Sequence, residues 1–149
     1  MIGLLQRVSR GEVRVDDTAV AAIGAGLVVL VGVERDDAER QATRLVERIL
    51  NYRVFADGKG RMNRSLRDTG GGLLLVPQFT LVADTEAGNR PSFSGGADPA
   101  AAQRLFQYLL VEAQTQHPEV AAGVFGANMD VELVNQGPVT FSLRVSAGV

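Results

Sequence analysis

Two stretches of this chain have no polar side. Leu27-Val28-Val29-Leu30-Val31-Gly32-Val33 is apolar at odd and even positions alike and rich in β-branched residues, and Leu73-Leu74-Leu75-Val76 opens a second such run towards Leu81. Side chains of a strand point alternately to its two faces, so a strand that is apolar on both must be covered on both. With 149 residues the chain is the size of a single domain, which buries roughly 68–70% of its unfolded surface.

The covering elements are visible too. Ala38, Ala42, Leu45, Val46, Ile49 and Leu50 form one stripe at the helical period, and Asp36 with Glu39 three residues on offers a capping start. A second helix opens at Asp98-Pro99, a capping aspartate followed by proline at the first helical position. Its stripe runs through Ala102, Leu105, Phe106, Leu109, Leu110 and Ala113, and Pro118 ends it near His117. Ile2 to Val8 and Glu12 to Asp16 read as short strands joined by a Ser9-Arg10-Gly11 turn. Asp57-Gly58-Lys59-Gly60 is a turn, and Asp68 to Gly72 a loop. Ala127, Met129, Val131 and Leu133 alternate with their neighbours, as do Val139, Phe141, Leu143 and Val145 after Asn135-Gln136-Gly137-Pro138, the pattern of a hairpin. Two main helices against this many strands predict an α/β domain with a largely antiparallel β core.

Composition removes most catalytic chemistries. There is no cysteine and one histidine, so disulfide scaffolds, thiolate zinc sites and His-rich metal centres are excluded. His117, beside Pro118 at a helix end, reads as a solvated capping residue rather than a base. Gly24-Ala25-Gly26 has no third glycine at position 29, no Walker lysine follows a glycine cluster, and Gly70-Gly71-Gly72 reads as a loop before a strand. Asp57, Asp68 and Asp84 sit in turn contexts, which speaks against a metal-dependent hydrolase. Fifteen cationic residues, 14 of them arginine, against 17 acids give a net charge of −2, so any nucleic acid must be held by local contacts rather than a broad positive field. The longest apolar run falls far short of the roughly 20 residues of a membrane span, and no signal pattern opens the chain. A soluble, cytoplasmic domain is expected.

Two segments carry more information. In Pro77-Gln78-Phe79-Thr80-Leu81 a proline, which has no ladder donor, marks an edge, a bulge or a strand end, and polar Gln78 and Thr80 emerge from an apolar run. In Gly137-Pro138 a bend presents consecutive backbone carbonyls, which accept hydrogen bonds from an ammonium group.

Together with Leu5-Gln6-Arg7-Val8, Asn51-Tyr52-Arg53-Val54-Phe55, Met62-Asn63, Arg90-Pro91-Ser92-Phe93 and Gly123-Val124-Phe125-Gly126-Ala127-Asn128-Met129, these segments resemble the D-aminoacyl-tRNA deacylases over almost the whole chain. The resemblance implies a three-layer β/β/α fold and a homodimer that needs no cofactor or metal. It implies hydrolysis of the ester between a D-amino acid, or glycine, and the 3′-terminal adenosine of tRNA. Gly137-Pro138 then matches a cis Gly-Pro pair that reaches into the partner subunit's pocket, takes the α-ammonium on its carbonyls and excludes an L side chain. Gln78, Phe79 and Thr80 match the other wall. Amides near Gln78 and Phe79 are the natural oxyanion donors, and Phe79 is placed either near the terminal adenine or in the core. Thr80 has no visible base, so attack by water assisted by the substrate's 2′-OH, which RNA has and DNA lacks, is the favoured chemistry. Arg7 matches a residue that holds the Gly-Pro segment.

Two positions depart from the family pattern. Pro77 stands where serine is usual, removing a hydroxyl and an amide, and Gln136 stands where aspartate is common. The first opens two alternatives: a relaxed deacylase that clears small L-amino acids, and an inactive tRNA-binding module. Val139-Thr140 after Gly137-Pro138 matches the standard deacylase.

Overall fold

The computed structural model describes residues 1–148. Strands β1 (Ile2–Val15), β2 (Thr18–Ile23) and β3 (Gly26–Gly32) open the chain. Helix α1 (Glu39–Asn51), the small hairpin β4 (Phe55–Ala56) and β5 (Met62–Arg64), and the single turn α2 (Leu66–Thr69) then lead to β6 (Gly72–Pro77). A 3-10 turn (Phe79–Val82), helix α3 (Pro99–Gln116), β7 (Val120–Ala122) and β8 (Asp130–Arg144) complete it. No helix among the described residues is long and apolar enough to cross a membrane.

β1 is the hinge of the sheet. Its first half, Ile2 to Val8, pairs antiparallel with β3, and its second half, Gly11 to Val15, with β2. β8 runs antiparallel along both halves. β3 and β6 are parallel, as are β6 and β7. The expected largely antiparallel core is thus present, within a mixed sheet: its two parallel pairs need crossovers, and α1 and α3 are those crossovers.

The two-sided apolar runs sort their side chains as the strand period requires. Leu27, Val29, Val31, Leu73 and Leu75 pack with Leu45, Ile49, Leu105 and Leu109 of the helices. Val28, Leu74 and Val76 pack with Val8 and Val13 of β1 and Ile23 of β2, where the sheet folds over. Helices, central strands and a second β layer thus form the β/β/α stack, and each leucine withdrawn from water contributes about 1.5–3 kcal/mol. Gly11 permits the fold-over, because a Cβ there would stand 2.6 Å from Val28 Cγ2. Gly26 is equally constrained, since its Cβ would overlap the Gly72 carbonyl oxygen.

Several local expectations change. Ser9-Arg10-Gly11 lies inside β1, and the turn is Asp16-Asp17, both at positive φ. β8 is one strand rather than a hairpin, because both halves find the same partner in β1. The Asp68–Gly72 loop begins in α2, capped by Ser65 and Asp68 and closed by left-handed Gly70. α1 is capped by the Gln41 side chain, which accepts the Ala38 amide at 2.8 Å, while Asp36 is exposed. His117 is buried, not solvated: Nε2 donates to the Gly71 carbonyl at 2.6 Å, satisfying a backbone group beneath the end of α3.

At the other end of the sheet the buried Met1 ammonium donates to Glu34 (2.9 Å), Asp37 (2.8 Å) and the Val145 carbonyl (2.7 Å). Arg144 donates twice to Glu34, at 2.7 and 3.2 Å. Burial raises the Glu34 pKa, but hydrogen bonds from Arg144 and the ammonium outweigh it and hold the group below its usual 4.5. A carboxylate depressed in the folded state stabilises fully above its unfolded pKa and loses that contribution as pH falls through the folded value. Glu34→Gln is therefore expected to lower stability at neutral pH and to flatten its acid limb below about pH 4.5, read from urea midpoints across pH. Gly26→Ala should cost about 4 kcal/mol or more in the same assay, the scale of a backbone clash without an escape route.

Candidate functional site

Pro77 ends β6, as a residue without a ladder donor should, opposite Val31 of β3. The strand does not continue to Leu81. The Gln78 amide donates to the Val31 carbonyl at 2.8 Å, and the chain then winds into the 3-10 turn. Gly32 makes this docking possible, because a Cβ there would stand 2.7 Å from Val82 Cγ1. Gln78 and Thr80 are thus not the outward positions of a strand but the start of a tight turn.

That turn spends its amides unevenly. Gln78 N–H is committed to Val31, and Leu81 N–H returns to the Gln78 carbonyl at 3.3 Å. Phe79 and Thr80 open the turn, where N–H groups have no partner within the helix, and among the described residues their amides find none elsewhere. Of the two amides expected as oxyanion donors, Gln78 is taken and Phe79 is free, with Thr80 beside it. The Gln78 side-chain amide donates to Thr80 Oγ1. A carboxamide is no general base, and His117 lies beside Gly71 at the opposite end of β6, six residues or roughly 20 Å away.

A cavity of about 70 Å3 lies against this turn, bounded by Val31, Pro77, Gln78 and Phe79 on one side and by Phe93, Gly96 and Phe106 on the other. Phe79 is 67% exposed and meets Phe93 with ring centroids 5.3 Å apart. It is a lip of the cavity, not a core residue. The antiparallel bridge between Asp84 and Ser92 brings Phe93 to that place.

Gly137-Pro138 is held elsewhere. β8 leaves register with β1 between Asn135, opposite Val8, and Thr140, opposite Gln6. The intervening residues bulge out, with Gly137 at φ 141° and the Gly137–Pro138 peptide cis. Two side chains clamp the bulge. Arg7 donates to the Gln136 carbonyl at 2.9 Å and to the Val54 carbonyl at 2.7 Å. Asn135 accepts the Val139 amide (2.7 Å) and donates to the Val139 carbonyl (3.2 Å) and Thr140 Oγ1 (2.9 Å). Gln136 is held through its carbonyl, so the departure from aspartate removes no bond to the clamp. Gly137 and Pro138 are exposed and have no partner in the β1 register.

The structure thus brings Pro77, Gln78, Phe79 and Thr80 together and joins Arg7 to the Gly137-Pro138 bulge. It does not bring the two groups to each other within one chain. Three strand spacings and four to five residue steps separate them, roughly 20 Å across β8, β1, β3 and β6. Sequence pattern does not single out Asn135; an asparagine two residues before Gly-Pro is the available signal. The three turn carboxylates serve the backbone, Asp57 accepting the Lys59 amide, Asp68 that of Ser65 and Asp84 that of Glu86.

Comparison with known proteins identifies the family. The family model of D-Tyr-tRNA(Tyr) deacylase matches residues 4–144. A D-aminoacyl-tRNA deacylase of Stutzerimonas stutzeri (strain A1501) is 60% identical over 97% of this chain and 99% of its own length. One from Nitrosococcus oceani is 54% identical over the whole chain and 96% of its own. The solved c-Myc DNA Unwinding Element Binding Protein superposes with a TM-score of 0.94 at 34% identity, over 99% of this chain and all of that one. A probable eukaryotic D-amino acid tRNA deacylase shares the fold, with a TM-score of 0.74 at 19% identity over 95% of this chain and 98% of that one. The chain belongs to the D-Tyr-tRNA(Tyr) deacylase family.

Asn135→Asp replaces a donor by an acceptor opposite the Val139 carbonyl. It is expected to cost about 1–3 kcal/mol, whereas Gln136→Asp should leave the urea midpoint unchanged.

Proposed function

We propose that this chain hydrolyses the ester joining a D-amino acid, or glycine, to the 3′-terminal adenosine of tRNA, returning mischarged tRNA to use in the cytoplasm. The observation that supports this best is the pair of unspent amides, Phe79 and Thr80, heading a turn against a small apolar cavity in a chain of this family. Water adding to an ester carbonyl makes an oxyanion, and preorganised amides stabilise it without a titrating side chain. The 3′-oxygen then leaves with a proton, giving free amino acid and tRNA. The terminal 2′-OH of the substrate assists the attacking water, because Thr80 is bonded to a carboxamide and has no base to activate it.

Chirality is read by the Gly137-Pro138 bulge. Its two exposed carbonyls take the α-ammonium, and main chain this close to the α-carbon leaves space for hydrogen or a D side chain but not an L one. Since the bulge stands roughly 20 Å from the cavity of its own chain, it serves the pocket of a second copy. The working unit is a homodimer, with Arg7 and Asn135 fixing what each copy offers the other. Pro77 lines the cavity where the family usually has serine, and it favours the relaxed deacylase as the second reading.

The test is metal-free deacylation of D-Tyr-tRNA, Gly-tRNA, L-Tyr-tRNA and L-Ala-tRNA. Loss of the first two with both L esters spared is expected, and Thr80→Ala should keep most of the activity. A D-Tyr-tRNA ending in 2′-deoxyadenosine should react at least about 100-fold more slowly, the scale of a lost proton-transfer group. L-Ala-tRNA lost as fast as the D ester would make this the relaxed enzyme. Binding of every ester with turnover of none would leave only a tRNA-binding module.

A further inference from the structure

The β4–β5 hairpin and its continuation into α2 concentrate positive charge in an acidic chain. Between Arg53 and Asp68 stand Arg53, Lys59, Arg61, Arg64 and Arg67, five of the 15 cationic residues, against Asp57 and Asp68 alone. All five are exposed, and among the described residues none has a carboxylate within ion-pair distance. Both acids are occupied by their own turns. Asp57 accepts the Arg61 and Lys59 amides at 3.0 and 2.8 Å, and Asp68 the Ser65 amide at 2.8 Å. Helix α1 shows the contrast: its Arg40, Arg44 and Arg48 are offset by Glu39, Glu47 and the adjacent Asp36 and Asp37.

The position of this patch matters as much as its charge. The Val54 carbonyl, one residue before β4, is held by the same Arg7 guanidinium that holds the Gln136 carbonyl. The basic hairpin is therefore fastened beside the Gly137-Pro138 bulge, which is separated from the cavity of its own chain by the width of β8, β1, β3 and β6.

We infer that the hairpin is a phosphate-binding arm for the acceptor end of the tRNA whose aminoacyl group sits in the partner's pocket. One protomer then supplies both the chirality-reading bulge and the backbone contacts for the substrate of the other. The inference rests on the deacylase reading above. Arginine suits the task, since its fork pairs bidentately with phosphate oxygens. Confining the charge to one arm of an otherwise acidic chain directs RNA to that edge.

The test combines Lys59→Gln, Arg61→Gln and Arg64→Gln in the full-length protein and compares D-Tyr-tRNA with 3′-O-D-tyrosyl-adenosine, which has no phosphate. The inference expects kcat/KM on tRNA to fall roughly tenfold or more at low salt, with the adenosine ester turned over as by wild type. The salt slope of KM should flatten by about one for each phosphate the arm no longer holds, and the charge-keeping Lys59→Arg, Arg61→Lys, Arg64→Lys protein should recover. Equal loss on both substrates, or loss on neither, would overturn it. Mixed dimers decide the arrangement: the triple variant combined with a Phe79→Pro protein, which lacks the Phe79 amide, should regain tRNA activity, because the intact pocket of the first meets the intact arm of the second. No regain would place the arm in cis and overturn the inference while leaving the deacylase reading intact. Wild type inert towards both D esters would remove that reading, and the arm with it.

Discussion

Everything in this molecule is arranged around two parallel strands that are buried along almost their whole length. β3 and β6 approach so closely at Gly26 and Gly72 that a methyl group would not fit, and from there both present hydrocarbon to either side. Parallel neighbours cannot be joined by a tight turn, so the connections must travel, and their apolar stripes place α1 and α3 on one face. The other face then has to be closed by β structure, which β1 provides by folding over on itself at Gly11. The 3-10 turn that carries Phe79 and Thr80 is what the chain does where that buried pair runs out. The site is thus a consequence of how the core ends.

The proposed chemistry draws mainly on main-chain atoms, and side chains act mostly by committing the neighbouring backbone groups. Val31 takes the Gln78 amide, leaving those of Phe79 and Thr80. Arg7 and Asn135 take the carbonyls on either side of Gly137 and Pro138. On this proposal no triad is needed: selectivity and oxyanion stabilisation would reside in the path of the chain, which a residue-by-residue search for acids, bases and nucleophiles does not register.

What is legible in the sequence follows from periodicity. The stripe of α1, the capped start and proline stop of α3 and the two-sided strands can be read because burial imposes a repeat on sequence. Pro77 announces a strand end because proline has a specific deficit. Long-range pairing is not legible. The unity of β8 depends on β1 being one strand of 14 residues, and no local signal distinguishes a bulge at Gln136–Pro138 from a hairpin turn. His117 reads as solvated for the same reason, since its partner, the Gly71 carbonyl, is 46 residues away. The separation of the two halves of the site, likewise, is a property of register rather than of either motif.

The two halves are also fastened by different kinds of chemistry. The bulge is clamped by a guanidinium and a carboxamide. The cavity end is fastened through a carboxylate. Glu34, which bridges to Gly96 at the cavity rim, is tied to Met1 and Arg144 through a charge that acid removes. Acid therefore reaches the cavity end through Glu34, and it reaches the β4–β5 hairpin and α2 through Asp57 and Asp68, whose carboxyls the amides of their own turns also hold below the usual range.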